Sequence, residues 1–463
     1  MAKKEKKQKE FQTEYTVTNS LKKGDIFTKL SAVVFGLGNI VRGQVIKGLL
    51  FLAMEIGLIY YFVSFGFHAL SQLVTLGTKV TGQEWNEAKG IYEQVNGDNS
   101  MLILLYGVIS IFIFAVLVIT WRASLKSAYE AQCIKASGLK PNNFVQDVAS
   151  MFDSKLNRTL LFLPVMGIVC FTIMPLVYMI SMAFTNYDRN HIPPGKLFDW
   201  VGLKNFVKIL NLNGSLGQTF WKVLGWTFVW AVFATFLNYI LGMILAMVIN
   251  RKETHWKGFW RFCFILSVAV PQFVSLLIMR TMLQPEGAVN ILLRQIGLLG
   301  DGQSLPFWMN VTWARVTVIV INLWVGIPYT LLTMTGILQN IPVELYEAAR
   351  VDGANAVVTF FKITLPYMLF VTTPNLITSF VGNINNFNVI YLLTGGNPAS
   401  MSYYRGTAGK TDLLVTWLYK LTIDNKDYCY GAVIGILIFI ISASLSLSVY
   451  HRTGSYNNEE GFQ

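Results

Sequence analysis

The sequence predicts an all-α integral membrane protein with eight transmembrane helices and both termini on the cytoplasmic side. Of the 463 residues 53% are hydrophobic and 13% charged, and the mean hydropathy is +0.48, a composition that no ordinary soluble domain carries. Eight apolar runs reach the length of about 20 residues that a helix needs to cross the bilayer core. With the N-terminus placed in the cytoplasm, 23 of the 37 lysines and arginines fall on the cytoplasmic loops and tails, the asymmetry that sets topology. The net charge of +12 would suggest nucleic acid in a soluble chain, but here the cations gather beside spans, where anionic lipid and topology account for them. No nucleic-acid partner is expected.

Residues 1–29 are polar and lysine-rich without an apolar core, so no cleavable signal peptide is read there. Residues 1–9 have the composition of a disordered tail lying against anionic headgroups. The stretch 26–41 is apolar but short and carries Gly36, Gly38 and Asn39, which suits an interfacial helix and makes 1–45 a cytoplasmic tail plus that helix. Runs 46–67 and 101–121, with a cytosolic and helical link over 122–158, form an accessory region, 46–159. A third run, 160–184, leads into a short outer loop that ends near Lys222 and turns at Pro193-Pro194-Gly195. Runs 223–249, 259–283, 311–338, 367–393 and 430–450 make up a core region, 223–452, before a cytoplasmic tail, 453–463. No matched pair of interrupted spans, the mark of many secondary transporters, is evident.

Between the sixth and seventh runs lies a cytosolic loop, 339–366, containing Glu347-Ala348-Ala349, then Gly353, then Ile363-Thr364-Leu365-Pro366. Pro342 suits a first helical turn, Glu344 and Glu347 lie near its positive end, and Leu345, Ala348 and Ala349 fall three and four residues apart on one small, flat face. Asp352-Gly353 ends this helix, because glycine tolerates a left-handed C-cap, and a second short helix runs on to Lys362 before Pro366. The expectation is a helical hairpin exposed in the cytosol.

Two spans carry polar residues that require a reason. The seventh has Ser379 followed by asparagines at 383, 385, 386 and 388, costly groups if they face lipid. Ser379, Asn383 and Asn386 share one helical face by spacing, and hydroxyl and amide groups there suit an uncharged, hydroxyl-rich ligand or hydrogen bonding between helices. The sixth has Asn322, Trp324, Gly326, Pro328 and Tyr329: Pro328 can break a helix, Gly326 lets a ligand approach the backbone, and the aromatic rings suit either the C–H faces of a sugar or packing and interface anchoring. Glu55, inside the first span, is read as protonated or paired with another helix, with an ion-coupling carboxylate as the alternative.

The glutamate-alanine-alanine loop at its fixed spacing resembles the signature loop of permease subunits in binding-protein-dependent ABC importers. The passages Asn322 to Tyr329, Ser379 to Phe387, Leu392 to Pro398 and Thr411 to Val415 resemble the larger permease subunit of maltose and maltodextrin importers, over roughly 223–452. The resemblance implies a type I ABC importer permease fold and a sugar site at Gly326, Tyr329, Ser379, Asn383 and Asn386. Glu347, Ala348, Ala349 and Gly353 would couple to the ATPase. It also implies the partners: a second, shorter permease, an ATPase dimer that binds ATP and magnesium, an extracellular sugar-binding protein, and the surrounding lipid. The outer loop before 223 is far shorter than the folded domain of the enterobacterial type, which points to a Gram-positive cell membrane. Rival readings are an ion-coupled secondary sugar transporter resting on Glu55, an importer of another oligosaccharide, and a membrane enzyme.

Motifs for chemistry fail. Gly409-Lys410-Thr411 would end a Walker A loop only if residue 404 were glycine, and it is Tyr404; no cofactor is expected in this chain. Cys133, Cys170, Cys263 and Cys429 stand alone and are read as buried small residues, and His68, His191, His255 and His451 form no ligand spacing. No enzymatic or metal-binding constellation is present in the sequence.

Overall fold

The computed structural model describes residues 15–87, 89–251 and 253–451. The expected tails at 1–9 and 453–463 lie outside them. Among the described residues seven helices are long and apolar enough to cross a membrane, and one further pair of helices, bent by 89°, is so only when taken together; the spans are numbered below by the apolar runs of the sequence. The chain divides into two compact units, Met1–Val201 and Gly202–Gln463.

In the first unit the second span runs Ser100–Ala136, 37 residues and so about 56 Å long at 1.5 Å per residue, well beyond a bilayer core of about 30 Å. Its surplus turns carry the segment expected to be an interfacial helix. That segment is two short helices, Ile26–Leu30 and Leu37–Ile40, and a third, Val17–Lys23, precedes it. Gly36 breaks it at φ +77°, and a Cβ there would lie 2.3 Å from the Gly48 carbonyl oxygen. Polar groups tie the pieces to the second span: the Gly36 amide donates to Ser124 Oγ at 2.8 Å and Asn39 Nδ2 to Ser127 Oγ at 2.8 Å. The buried Arg42 guanidinium reaches the carbonyls of Gly38 and Ala128 and, at 2.6 Å, the carboxylate of Asp25. Burial pushes the Asp25 carboxyl up, but hydrogen bonds from Arg42 and Thr28 outweigh it and hold the group below the usual carboxylate range. Glu55 is buried, and its Oε2 accepts the Phe35 amide at 2.7 Å.

The first span extends over Val45–Thr75 with a π-turn at Phe62–Gly66. An antiparallel hairpin that the sequence reading did not foresee follows it, Gly82–Asn86 paired with Ile91–Val95. Just after the hairpin in the chain, Asp98 accepts the amides of Thr78 and Lys79 at 2.8 and 2.9 Å. Those amides, Lys79 first, lower its pKa. The third span is Leu156–Met182.

In the second unit the fourth span, Ser215–Asn250, begins eight residues before the apolar run does. The fifth apolar run forms the bent pair, Lys257–Ala269 and Gln272–Met282. Pro271 supplies the break, since it has no N–H to give the helix and sits at ψ 128°. Pro328, by contrast, interrupts nothing: the sixth span continues unbroken through it from Val311 to Gln339. Asparagine side chains open several helices, Asn99 at the second span and Asn310 at the sixth, by accepting first-turn amides. The seventh span covers Ala356–Leu393 and the eighth Tyr428–Tyr450. Of the cysteines only Cys429 is buried, while Cys170 and Cys263 are exposed, so the expectation of buried small residues fails for those two. Their surroundings are apolar spans, whose exposed faces accept a small apolar thiol as readily as a core does.

Candidate functional site

Three helices of the second unit run apolar, polar, apolar along their length. At one level Trp226, Trp230, Leu276, Val318, Ile321 and Val389 close a buried cluster, and at another Tyr239, Met243, Ala246, Leu331, Met334 and Met368 close a second. Between these levels lies a cavity of about 310 Å³. The fourth span contributes Thr235 and Asn238 to it, the sixth Asn322, Gly326 and Tyr329, and the seventh Asn375, Ser379, Asn383 and Asn386. Among the described residues that line it there is no aspartate, glutamate, lysine, arginine or histidine. The wall is therefore rich in hydrogen-bonding groups and free of formal charge.

All five residues that the resemblance implies for a sugar site border this cavity, in different ways. Ser379 and Asn383 lie on the helix Leu365–Ile384, which ends before Asn386. Asn386 instead caps a new short helix, Phe387–Leu393, with its side chain accepting the Val389 amide at 3.2 Å. The expected single helical face over 379–386 is thus interrupted, because Asn386 leaves the helical region at ψ 87°. The turn brings its amide onto Asn383: Asn386 Nδ2 donates to Asn383 Oδ1 at 3.4 Å, and Asn383 Nδ2 donates to Thr235 Oγ1 at 2.9 Å. Interhelical bonding and exposure to the cavity coexist in the same side chains. Asn385 turns back onto the Val381 carbonyl, and Asn388 is exposed away from the cavity wall.

Gly326 has a packing reason that sequence alone did not supply. A Cβ at this position would lie 2.4 Å from Asn238 Nδ2, and one at Gly242 would lie 2.6 Å from Thr330 Cβ. Each helix places a glycine under the other's side chain, four residues apart on both, the small-residue seam by which membrane helices approach closely. Tyr329 is 56% exposed and borders the cavity; Trp324, 55% exposed, does not. Asn238 and Thr235 were missed, and their signal was present: isolated polar residues inside an apolar span. Asn238 Nδ2 is held by the Ala234 carbonyl at 2.7 Å, while its buried Oδ1 has no hydrogen-bond partner.

The loop between the sixth and seventh spans forms the helix Val343–Val351, with Pro342 just ahead of it and Glu344 in its first turn. Glu347 and Ala348 are exposed, and Ala349 is buried. Leu345, Ala348 and Ala349 therefore do not share one free face. The outward face is Leu345, Ala348 and Val351, the last 88% exposed. Gly353 takes φ +72° in open space, and the Ala354 amide closes onto the Ala349 carbonyl at 2.9 Å, a left-handed C-cap as expected. The second arm does not stop at Lys362. It passes from Ala356–Thr359 through a π-turn, Phe360–Thr364, into Leu365–Ile384, where Pro366 occupies the first turn and its missing N–H costs nothing. Tyr346 and Thr364 hydroxyls link the arms at 3.1 Å.

After the seventh span, the stretch Thr411 to Val415 has a structural reason of its own. Asp412, fully buried, accepts the Gly409 amide at 2.6 Å, Thr416 Oγ1 at 2.8 Å and Lys420 Nζ at 2.6 Å, and a Cβ on Gly396 would collide with it. Burial pushes this carboxyl up, and the lysine pulls against that shift. Gly409 lies against the Gly396 carbonyl, so the loop that imitates a Walker A is a packed corner.

Residues 238–452 match the family model described as the binding-protein-dependent transport system inner membrane component. The maltodextrin transport system permease protein MdxF of Bacillus subtilis is 35% identical over 96% of this chain and 99% of its own length. The galactooligosaccharides transport system permease protein GanP of the same organism is 34% identical over 93% of this chain and 98% of its own. A crystal structure of a bacterial ABC transporter involved in the import of the acidic polysaccharide alginate superposes with a TM-score of 0.52 at 21% identity, over 66% of this chain and 97% of that one. With a full-length relative, the matched core and the shared fold, the chain belongs to the inner-membrane permease family of binding-protein-dependent transport systems, as a multi-pass membrane transport subunit.

Proposed function

We propose that this chain is the larger permease subunit of an ABC importer that carries maltodextrin-type oligosaccharides across the cell membrane. The observation that carries the substrate class is the uncharged wall of amides, hydroxyls and one exposed tyrosine around the 310 Å³ cavity. Amides both donate and accept, as a polyol requires, and a site without ions discriminates against charged cargo. The volume lies at the lower end of ligand sites, about 300–1,000 Å³, which suits one or two sugar rings held at a time. Gly326, Tyr329, Ser379, Asn383 and Asn386 are the proposed ligand contacts, with Gly326 acting chiefly by seating Asn238.

Transport then works by alternating access. The termini lie in the cytoplasm, and the helix Val343–Val351 docks its exposed face, with Glu347, Ala348 and the Gly353 cap, on a partner ATPase that binds ATP and magnesium. Ala349 holds the helix to the permease. A second permease completes the pore, and an extracellular binding protein delivers the sugar. The host is a Gram-positive bacterium, consistent with the match to MdxF over nearly its whole length. A shift between states requires the nucleotide-bound ATPase to favour one position of the coupling helix over the other. The Phe35 amide on Glu55 Oε2 gives this carboxyl a structural partner within the first unit, which supports the reading of Glu55 as a paired group.

The test is uptake of labelled maltotriose in cells that depend on this chain. Uptake is expected to vanish when the partner ATPase carries an inactive Walker A lysine and to persist under an ionophore at constant ATP. The opposite pattern would establish an ion-coupled carrier.

A further inference from the structure

The resemblance and the spacing direct attention to the sixth and seventh spans, yet the chain break in the seventh is held from the fourth. The helix Leu365–Ile384 ends inside the cavity wall, where the last carbonyls of a helix lack intrahelical donors. The Asn383 carbonyl is met by the Asn386 amide at 3.2 Å and by Trp230 Nε1 at 3.1 Å. The Asn383 side chain is met by Thr235 Oγ1 at 2.9 Å. Trp230 and Thr235 are both almost wholly buried. An amide has two ends that a half-turn exchanges, so an asparagine facing a cavity presents a defined pattern only if something fixes it. The Val389 N–H can only donate, so it fixes Asn386 Oδ1 and turns Asn386 Nδ2 onto Asn383 Oδ1, which leaves the donor end of Asn383 to Thr235 Oγ1.

We propose that Thr235 is a positioning residue for the oligosaccharide site, one that anchors Asn383 to the fourth span at the far end of a relay that starts at the Val389 amide and passes through Asn386. The claim rests on the reading of the cavity as the sugar site. With both amides fixed, the remaining lone pair of Asn383 Oδ1 and the remaining proton of Asn386 Nδ2 form a set acceptor and donor pair for sugar hydroxyls. Without the Thr235 oxygen, Asn383 keeps only the 3.4 Å hydrogen bond from Asn386 Nδ2 and loses its anchor on the fourth span, so its carbonyl oxygen is held less firmly.

The experiment measures labelled maltotriose uptake in cells expressing the whole importer, with the amount of each variant in the membrane determined alongside. Thr235→Val keeps shape and removes the acceptor; Thr235→Ser keeps the acceptor and removes the methyl group. Thr235→Val is expected to raise the half-saturating maltotriose concentration about three- to tenfold, the range for one lost hydrogen bond, with the membrane level and maximal rate preserved. Thr235→Ser is expected to stay near the wild type. Wild-type half-saturation in Thr235→Val overturns the proposal, as does equal impairment in Thr235→Ser, or a fall in membrane level with half-saturation unchanged. Thr235→Ala gives the same comparison if the valine variant does not assemble. Ser379→Leu, which fills the cavity, separates the two claims. If it too transports normally, the cavity is not the sugar site; if it abolishes uptake while Thr235→Val behaves as wild type, only the positioning role falls.

Discussion

At the residue scale the seam between the fourth and sixth spans decides how Gly326 is to be understood. A methyl group there has nowhere to go but into the Asn238 amide, 2.4 Å away. Gly326→Ala is therefore expected to destabilise the assembled protein by about 1–3 kcal/mol, the usual range for overpacking a tight interface. Asn238→Ala in the same chain vacates that space and is expected to recover most of the loss. Thermal unfolding of the two single variants and the double variant gives the coupling directly; additive losses would show that the glycine serves the ligand alone. The same seam shows why sequence reading fell short here. Intramembrane asparagines stand out as costly, so those of the seventh span were conspicuous, but what occupies the space beside a glycine depends on a helix some 90 positions earlier in the chain. A local pattern contains no trace of that partner.

At the element scale the hairpin between the sixth and seventh spans was legible because its ends are written in backbone chemistry. Pro342 precedes the helix, Glu344 enters its first turn and Gly353 closes it at φ +72°. The face it presents was less legible. Spacing grouped Leu345, Ala348 and Ala349, but a helix this short packs along one narrow stripe, and Ala349 fell on the buried side. Gly353→Val forces a β-branched residue into the left-handed region at a site with open space around it, so its cost of about 1–2 kcal/mol is conformational and stays within the hairpin. The expected result is a permease present at normal level that retains clearly less ATPase on co-purification, with Gly353→Asn close to the wild type because asparagine tolerates that region. Equal retention by the wild type and Gly353→Val would remove the hairpin from the coupling path. Other elements misled the reading for physical reasons. Pro328 left its helix unbroken whereas Pro271 bends its pair by 89°, because surrounding packing in a membrane decides whether the missing N–H ends a helix. The segment 26–41 was read from composition as one interfacial helix; its break at Gly36, packed against Gly48, and the bond from Asn39 to the second span's Ser127 depend on partners outside it.

At the scale of the whole molecule, composition and run length were enough to place the chain in a membrane as a helical protein, since only helices and closed barrels satisfy the backbone there. The hairpin at 82–95 went unseen because ten residues of strand carry little weight beside spans of 23 residues or more. The polar layer was half visible: its groups on the sixth and seventh spans were read from sequence, and those on the fourth emerged only when the three helices were seen to enclose one space. The central claim is that this layer receives a neutral oligosaccharide while a separate ATPase moves the helix at 343–351. Its most direct test is a structure of the complete importer, determined with maltotriose and a non-hydrolysable ATP analogue. The account predicts sugar-ring density within hydrogen-bonding distance of Ser379, Asn383 and Asn386, and the helix Val343–Val351 seated on the ATPase. Density for the sugar elsewhere with this cavity empty, or an ATPase that leaves the helix untouched, would contradict it.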